Sequence, residues 1–253
     1  MEIITSRANP LCAHFRKLAA SRSCREEAGE YLCDSPKLLR EALQWGGAVT
    51  AVLFTEGADL PPCPPEVRLV QVPPGVMKAV SPMETPQGVV FSCRLEDRRP
   101  PATLPPEGRY LLLDGLQDPG NVGTILRTAD AFGWTVFLLP GCADLYNPKT
   151  LRAAMGVHFR RPVWRASLEE AAELVRGAGL PLYATALGED TADLREVDLR
   201  RCAVVIGSEG RGVSPQALAL CGGSLRIPMD PRCESLNAAA AAAVVLWEAA
   251  RRT

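Results

Sequence analysis

The chain has 253 residues, of which 47% are hydrophobic and 23% are charged, and its formal net charge is −1. This is the composition of an ordinary globular protein, without the basic excess that is typical of a nucleic-acid-binding domain. No apolar run is long enough to cross a bilayer, and the N-terminus lacks the apolar core of a signal peptide, so we expect a cytoplasmic protein.

The nine cysteines form no C-x-x-C pair, and the chain has only two histidines. This spacing argues against a zinc site, so we predict free thiols in a reducing compartment and no metal. Cys233 is the cysteine of most interest, because it lies inside a motif described below.

Basic residues are concentrated near the N-terminus, where residues 1–25 carry a net charge of +4. The cations are Arg7, Arg16, Lys17, Arg22 and Arg25, and the one anion is Glu2. Two interpretations are open: the solvated face of an amphipathic helix, or part of a nucleic-acid-binding surface.

The first part of the chain alternates helix and strand patterns. Ser35-Pro36 predicts a helix start, with serine as the N-cap and proline at the first helical position. The other predicted elements are strands at 51–54, 67–72 and 88–93 and a helix at 73–80. This pattern is typical of a small α/β domain, which we place at residues 1–95.

A proline-rich stretch, residues 96–109, follows this domain and is predicted to be a stiff, exposed linker because it lacks apolar periodicity. The remaining residues, 110–253, form the second predicted domain. They contain four strand patterns that are apolar on both faces, helical stretches between them, and an alanine-rich helix at the end. This alternation predicts an α/β fold with a mostly parallel sheet covered by helices.

Three polar, glycine-containing stretches follow predicted strands in the second domain, at residues 114–133, 205–214 and 227–241. The third is predicted as a short strand, a loop and a helix start at 235–237. Ligands bind at the carboxyl ends of parallel strands, so we expect a site there. The absence of G-x-G-x-x-G and P-loop motifs argues against those two standard nucleotide sites. Taken singly, Asn121 and Ser235 could each be a simple helix cap.

Together, the three stretches resemble the signature motifs of the SpoU/TrmH family of RNA 2′-O-ribose methyltransferases. The matching residues are Asn121, Gly123, Arg127 and Gly133 in the first motif, Gly207, Glu209, Gly212 and Ser214 in the second, and Ile227, Pro228, Met229, Ser235, Leu236 and Asn237 in the third. The first domain is similar, more weakly, to the L30e-like substrate-binding domain of family members. It departs from them at Cys33-Asp34-Ser35, where the family has Val-Glu-Gly, and serine adopts positive φ less easily than glycine. The last helix also departs, with alanines after Ser-Leu-Asn.

The resemblance implies a deep trefoil knot in the second domain, S-adenosyl-L-methionine as the cofactor, an RNA substrate and a homodimer. The implied cofactor-binding residues are Thr185, Ala186, Gly207, Gly212, Ile227, Met229, Leu236 and Asn237. The implied catalytic residues are Asn121, Arg127, Glu209, Ser235 and Asn237. With RNA as the substrate, the five N-terminal cations and Arg127 are predicted to bind RNA.

The resemblance implies that Arg127 is the main catalytic residue, and the equivalent arginine of the family is sometimes described as the base that removes the proton from the ribose hydroxyl. Because arginine stays protonated in proteins, we predict instead that it binds the phosphate beside the target ribose and stabilises the developing alkoxide. Asn121, Ser235 and Asn237 are predicted to orient the ribose and the loops, and Glu209 to position Arg127 or its loop.

Three questions stay open from the sequence. The additional first domain favours 23S ribosomal RNA as the substrate, with transfer RNA as the alternative. A non-catalytic RNA-binding or ribosome-assembly factor of the same fold is the alternative to an enzyme, supported only by the two departures. Residues 244–247 of the last helix, Val-Val-Leu-Trp, form either the dimer interface or internal core.

Overall fold

The structure, a computed structural model, describes residues 2–188 and 190–251. Its elements up to the predicted linker are β1 (Glu2–Ile3), α1 (Pro10–Ala20), α2 (Arg22–Ala28), β2 (Glu30–Asp34), α3 (Pro36–Gln44), β3 (Val49–Phe54), β4 (Arg68–Gln71), α4 (Pro74–Val80) and β5 (Val89–Arg94). The later elements are β6 (Arg109–Asp114), α5 (Pro119–Ala131), β7 (Thr135–Leu138), α6 (Pro148–Ala154), α7 (Val157–Arg160), β8 (Val163–Arg165), α8 (Leu168–Gly177), β9 (Leu182–Thr185), β10 (Ala192–Asp193), β11 (Cys202–Gly207), α9 (Pro215–Leu220), β12 (Gly223–Arg226) and α10 (Ala238–Arg251).

The chain divides into two compact units. The first unit comprises Met1–Asp97 and Asp144–Arg160, and the second comprises Arg98–Ala143 and Arg161–Thr253. The segment 144–160 therefore packs with the first unit, although the sequence analysis placed it in the second domain. Whether residues 1–95 and 110–253 fold as independent domains stays a prediction.

The first unit contains a mixed five-stranded sheet with the strand order β1-β4-β3-β5-β2. β1, β4 and β3 are parallel, and β5 runs antiparallel to both β3 and β2. Phe15 and Leu18 of α1 and Met77 of α4 pack against the sheet in one apolar cluster. The three strands and the helix predicted after residue 50 are all present, while β2 was not predicted.

The predicted helix start at Ser35 is confirmed, because its hydroxyl accepts a hydrogen bond from the Leu38 N–H at 3.2 Å. The backbone of Ser35 has φ 95° and ψ 146°. Glycine adopts this conformation freely and other residues adopt it only with strain. Ser35 thus adopts the positive φ that the family's glycine would adopt at this position.

The second unit contains a seven-stranded sheet with the order β10-β12-β9-β11-β6-β7-β8, and every neighbouring pair is parallel. The prediction of an α/β fold with a parallel sheet is confirmed. The central pair is β11 and β6, with Gly207 beside Asp114 at their carboxyl ends. In the described part of the chain, no helix is both long and apolar enough to cross a membrane.

Two predictions are wrong: the position of a short strand and the exposure of the linker. The predicted short strand at the start of the third motif lies earlier, because β12 ends at Arg226, just before Ile227. The predicted linker is not exposed throughout: Leu104 is buried in the apolar core of the second unit, and the Arg98 carbonyl accepts a hydrogen bond from the Arg165 N–H at 2.6 Å.

Candidate active site

A cavity of about 550 Å³ lies in the second unit at the carboxyl ends of β9 and β11. Its walls come from the end of β9, the turn after β11, and the loop between β12 and α10. Seven predicted cofactor-binding residues line it: Thr185, Ala186, Gly207, Gly212, Ile227, Met229 and Leu236. Two predicted catalytic residues, Glu209 and Ser235, line it as well. Stretches far apart in sequence therefore meet at one cavity of a size typical for small-molecule sites.

The turn after β11 is closed by two backbone hydrogen bonds. The Ser208 N–H donates to the Gly212 carbonyl at 3.0 Å, and the Gly212 N–H donates back to the Ser208 carbonyl at 2.9 Å. A Cβ atom on Gly207 would lie 2.0 Å from the Gly212 carbonyl carbon, so no side chain fits there. Gly212 has φ 67°, which also favours glycine. The glycines of this motif thus shape the cavity wall through the backbone.

A chain of side-chain hydrogen bonds joins the three motifs. The Asn237 amide nitrogen donates to Asn121 Oδ1 at 3.1 Å, and the Asn121 amide nitrogen donates to Glu209 Oε1 at 2.6 Å. Asn237 Oδ1 accepts from the N–H groups of Ala239 and Ala240 at the start of α10. Because those two N–H groups fix which end of the Asn237 amide accepts, the direction of the whole chain is set. We call it the Asn237–Asn121–Glu209 chain.

Neither Asn121 nor Ser235, the two possible helix caps in the sequence, caps a helix in the structure. Asp118, rather than Asn121, caps α5 by accepting from the Asn121 N–H at 2.8 Å. The last helix begins at Ala238 with Asn237, rather than Ser235, accepting from its first N–H groups. Asn121 and Ser235 are thereby left available for contacts other than capping.

Asp114 is a site residue that the sequence analysis did not single out. Its Oδ2 accepts a hydrogen bond from the Ser214 N–H at 2.7 Å, which ties the end of β6 to the residue that caps α9. The position of Asp114, directly at the end of an apolar strand, was the signal that could have identified it.

At the end of β9, two polar groups already donate hydrogen bonds to neighbouring strands of the sheet. The Thr185 hydroxyl donates to the Val205 carbonyl at 3.0 Å, and the Ala186 N–H donates to the Leu225 carbonyl at 3.0 Å. A ligand in the cavity would therefore meet other atoms of these two residues, chiefly their carbonyl oxygens and apolar surfaces.

Arg127 is an exposed residue of α5, six positions after Asn121 and about 9 Å further along the helix. It does not line the cavity, and within residues 2–188 and 190–251 it has no ion-pair partner. The structure therefore brings Asn121, Glu209, Ser235 and Asn237 together, while Arg127 stays outside this group.

The predicted RNA-binding cations of the first unit fall into two sets. Arg25 is 4% exposed and forms an ion pair with Asp144 at 2.9 Å, so its guanidinium is not presented at the surface. Arg22 pairs with Glu26 one helical turn away. Arg7, Arg16 and Lys17 have no acidic partner among the described residues.

The cysteines are all free thiols, and only Cys233 is exposed. Burial raises the pKa of Cys142 to about 11 and the pKa of Cys202 to about 12, so both remain protonated at neutral pH. Among the residues that the structure describes, no three His, Cys, Asp or Glu side chains are grouped closely enough to hold a metal ion.

A parallel sheet with a cavity across its carboxyl ends defines a ligand-binding α/β protein. The family model described as the SpoU rRNA Methylase family matches residues 108–247, which include all three motifs. The chain belongs to this family.

Relatives resemble the chain over nearly its whole length. The Bacillus subtilis 23S rRNA (guanosine(2553)-2′-O)-methyltransferase RlmP is 33% identical over 250 residues, which cover 98% of each chain. The AdoMet-bound rRNA methyltransferase of Sinorhizobium meliloti has a TM-score of 0.84 at 28% identity, covering 99% of this chain and 98% of that one. The SpoU methyltransferase AviRb of Streptomyces viridochromogenes, in complex with AdoMet, has a TM-score of 0.85 at 27% identity, covering 96% and 98%.

Proposed function

We propose that this protein transfers a methyl group from S-adenosyl-L-methionine to a ribose 2′-oxygen of ribosomal RNA, most specifically 23S ribosomal RNA. The observation that carries this proposal is the Asn237–Asn121–Glu209 chain, which links all three family motifs beside the cavity. RlmP, its relative over the full length, is named for this reaction on 23S rRNA.

The cavity fits the proposed cofactor on its own features. Leu187, Ile227 and Leu236 provide apolar walls, and Gly207, which has no room for a Cβ, lets the backbone of Gly212 and Val213 approach closely at the cavity wall. Glu209 and Glu234 lie in the same lining and complement a cationic ligand. When bound, S-adenosyl-L-methionine supplies the methyl group on a positively charged sulfur, which makes that group electrophilic.

The protein's own task is then to orient the ribose and stabilise the oxygen as it loses its proton. We assign Arg127 to the phosphate beside the target ribose, where its fixed charge also stabilises the developing alkoxide. Asn121 is oriented by Asn237 and in turn holds Glu209, so this chain positions the first and second motifs around the substrate. Ser235 lines the cavity and is assigned to orienting the ribose.

The test of the activity is methyl transfer from radiolabelled S-adenosyl-L-methionine to unmodified transcripts of 23S ribosomal RNA, with transfer RNA transcripts in parallel. We expect labelled 23S RNA, an unlabelled transfer RNA set, and one ribose position resistant to alkaline cleavage. Label on transfer RNA alone would overturn the ribosomal substrate. Failure of calorimetry to detect cofactor binding would favour the non-catalytic RNA-binding factor.

The role of Arg127 is tested separately by Arg127→Ala. We expect turnover with saturating RNA to fall by about a hundredfold, as for loss of a group that stabilises transition-state charge. Near wild-type turnover would show that the assignment is wrong. Arg176, an exposed cation of α8, offers the matched control Arg176→Ala, which we expect to leave turnover unchanged.

We also propose a homodimer through the second unit, together with the trefoil knot implied for its fold. In α10, Val245 and Leu246 are buried in the core, while Val244 is 38% and Trp247 59% exposed. Trp247 makes an edge contact with Phe132 at the end of α5, which leaves an apolar surface on this helix pair. We expect Trp247→Glu to yield monomers in light scattering, with Trp45→Glu, at the other exposed tryptophan, retaining the dimer.

A cytoplasmic location completes the proposal. Its support is the set of nine free cysteines, which is typical of proteins from a reducing compartment. Cell fractionation with an antibody to the protein tests it, and recovery in a membrane or secreted fraction would contradict it.

A further inference from the structure

Among the residues that the structure describes, three charged side chains line the cavity of the second unit. Glu209 is one of them, and it is held by the Asn121 amide at 2.6 Å. Arg211 and Glu234 are the other two. The sequence analysis selected neither as a site residue, because they lie between the matched residues of the second and third motifs.

Arg211 and Glu234 are unpaired charges. Neither side chain makes an ion pair or a hydrogen bond within the described part of the chain, and the two are not paired with each other. By contrast, Arg232 and Asp230 form an ion pair at 2.9 Å in the same loop as Glu234, and neither lines the cavity. A charged side chain that borders a cavity and has no partner in the protein is available to a ligand.

The two unpaired charges belong to separate walls of the cavity. Arg211 lies in the turn after β11, whose backbone is closed by the two hydrogen bonds between Ser208 and Gly212. Glu234 lies in the loop between β12 and α10, directly before Ser235. A ligand that carries one negative and one positive group can therefore bind both side chains without breaking an ion pair of the protein.

The most deeply buried residues of the cavity lining are apolar. Ile206 and Leu225 are each 1% exposed, whereas Arg211 and Glu234 are exposed. Burying an ionised group without a partner is costly, so the uncharged part of a ligand fits against the buried residues and its charged part near the exposed ones. S-Adenosyl-L-methionine divides in this way, because its adenosine is uncharged and its amino-acid end carries one carboxylate and one ammonium group.

We propose that Arg211 binds the carboxylate of the cofactor's amino-acid end and that Glu234 binds its ammonium group. This inference rests on the proposed function, which supplies the cofactor, and it names two residues that select for that end. Hydrogen bonds between ionised groups are the strong ones, and a guanidinium can donate two parallel bonds to one carboxylate. A ligand that lacks the amino-acid end, such as 5′-methylthioadenosine, gains nothing from either residue.

Calorimetry with three ligands tests the assignment. S-Adenosyl-L-methionine and S-adenosyl-L-homocysteine both carry the amino-acid end, and 5′-methylthioadenosine lacks it. The variants are Arg211→Gln, Glu234→Gln and their combination, in which the net charge is unchanged. The matched control is Arg232→Gln with Asp230→Asn, which also removes one cation and one anion. Asparagine at position 230 keeps a side-chain oxygen for the backbone N–H of residue 232.

We expect each single variant to bind S-adenosyl-L-methionine and S-adenosyl-L-homocysteine roughly tenfold more weakly, as for the loss of a hydrogen bond between charged groups. The double variant should lose roughly a hundredfold, because the two residues contact separate groups of the ligand. The affinity for 5′-methylthioadenosine should be unchanged throughout, and the control should match the wild type for all three ligands. Arg211→Lys and Glu234→Asp keep the charges and should recover most of the affinity.

Three results would overturn the inference. An equal loss for all three ligands would mean that the two residues only shape the cavity. Weaker binding of S-adenosyl-L-methionine but not of S-adenosyl-L-homocysteine by Glu234→Gln would assign Glu234 to the sulfonium group. Unchanged cofactor affinity in Arg211→Gln, with a higher KM for RNA, would assign Arg211 to the RNA. A wild-type protein that binds the ligands as expected but methylates no RNA would overturn the proposed function and leave this inference in place.

Discussion

In the second unit, the proposed functional groups are short polar side chains and bare backbone at the ends of parallel strands. In the first unit, they are long cations on helices and on the turn before α1. The Asn237–Asn121–Glu209 chain is fixed by backbone N–H groups at one end. By contrast, Arg7 in the turn before α1 and Lys17 on α1 have no ion-pair partner among the described residues. The first arrangement tolerates almost no change of shape, and the second depends mainly on how many charges remain.

The difference also explains why similar residues have different roles. Arg25 and Arg22 are three residues apart on α2, yet one is buried against Asp144 and the other exposed beside Glu26. A cation contributes to an RNA-binding surface only where the fold leaves it exposed and without an acidic partner. In the second unit, residue identity alone says more about function, because Gly207 and Gly212 occupy positions where the backbone favours glycine.

The largest effect that we expect concerns stability. Arg25→Gln removes the buried ion pair with Asp144 and the bond from Arg25 to the Leu18 carbonyl, which should lower the free energy of unfolding by about 3–5 kcal/mol. Arg22→Gln removes the same charge from an exposed pair and should cost less than about 0.5 kcal/mol. Urea unfolding followed by circular dichroism measures both. Equal losses for the two variants would show that burial does not distinguish these cations.

The next effect concerns the cofactor. Gly207→Ala forces a methyl group against the backbone of Gly212 and Val213, so the turn must move. We expect the affinity for S-adenosyl-L-methionine to fall about a hundredfold, or about 2.7 kcal/mol, in calorimetry. Gly210→Ala is the control in the same turn, because nothing lies within 4 Å of its Cβ position. Unchanged affinity in Gly207→Ala would remove this turn from the proposed site.

A smaller effect is expected from the hydrogen-bond chain. Asn121→Ala and Glu209→Gln should each lower turnover about tenfold, about 1.4 kcal/mol, with little change in cofactor affinity. Because the two groups act through one hydrogen bond, the double variant should be little slower than either single one. Single-turnover kinetics measure this coupling, with Thr124→Ala on the same helix as a control. Strictly additive losses would indicate that the two residues act independently.

The sequence predicted the parts of the fold that depend on local patterns. β6, β7, β9 and β11 are apolar on both faces and were predicted within a few residues. β2 was not predicted, because it has only five residues and an acidic residue at each end. β10 was also missed, since it has only two residues, and the strand predicted at the start of the third motif lies earlier as β12.

What could not be predicted depends on contacts between distant parts of the chain. Arg25 and Asp144 are 119 residues apart, and no local pattern indicates that segment 144–160 packs with the first unit. The site was more accessible, because its three motifs each follow a strand and strand ends converge on one edge of a parallel sheet. The order of donors in the Asn237–Asn121–Glu209 chain still required the structure, since an amide can face either way.

The smallest effect distinguishes backbone shape from charge within the first unit. Ser35 has φ 95°, a region that costs a non-glycine residue about 1–3 kcal/mol. Ser35→Gly removes that strain. The substitution also removes the hydrogen bond to the Leu38 N–H, but replacing a serine N-cap by glycine costs only a few tenths of a kcal/mol. In addition, glycine loses more backbone entropy on folding, which costs about 0.5–1 kcal/mol.

We therefore expect a net gain of about 0.5 kcal/mol, seen as a small rise in Tm. Ser35→Ala keeps the strain and loses the cap, so it should cost about 1 kcal/mol and lower Tm. The two substitutions remove the same hydroxyl and are expected to act in opposite directions. If both lower Tm equally, the hydroxyl rather than the backbone conformation governs this turn, and the glycine-like geometry at Ser35 is tolerated without strain.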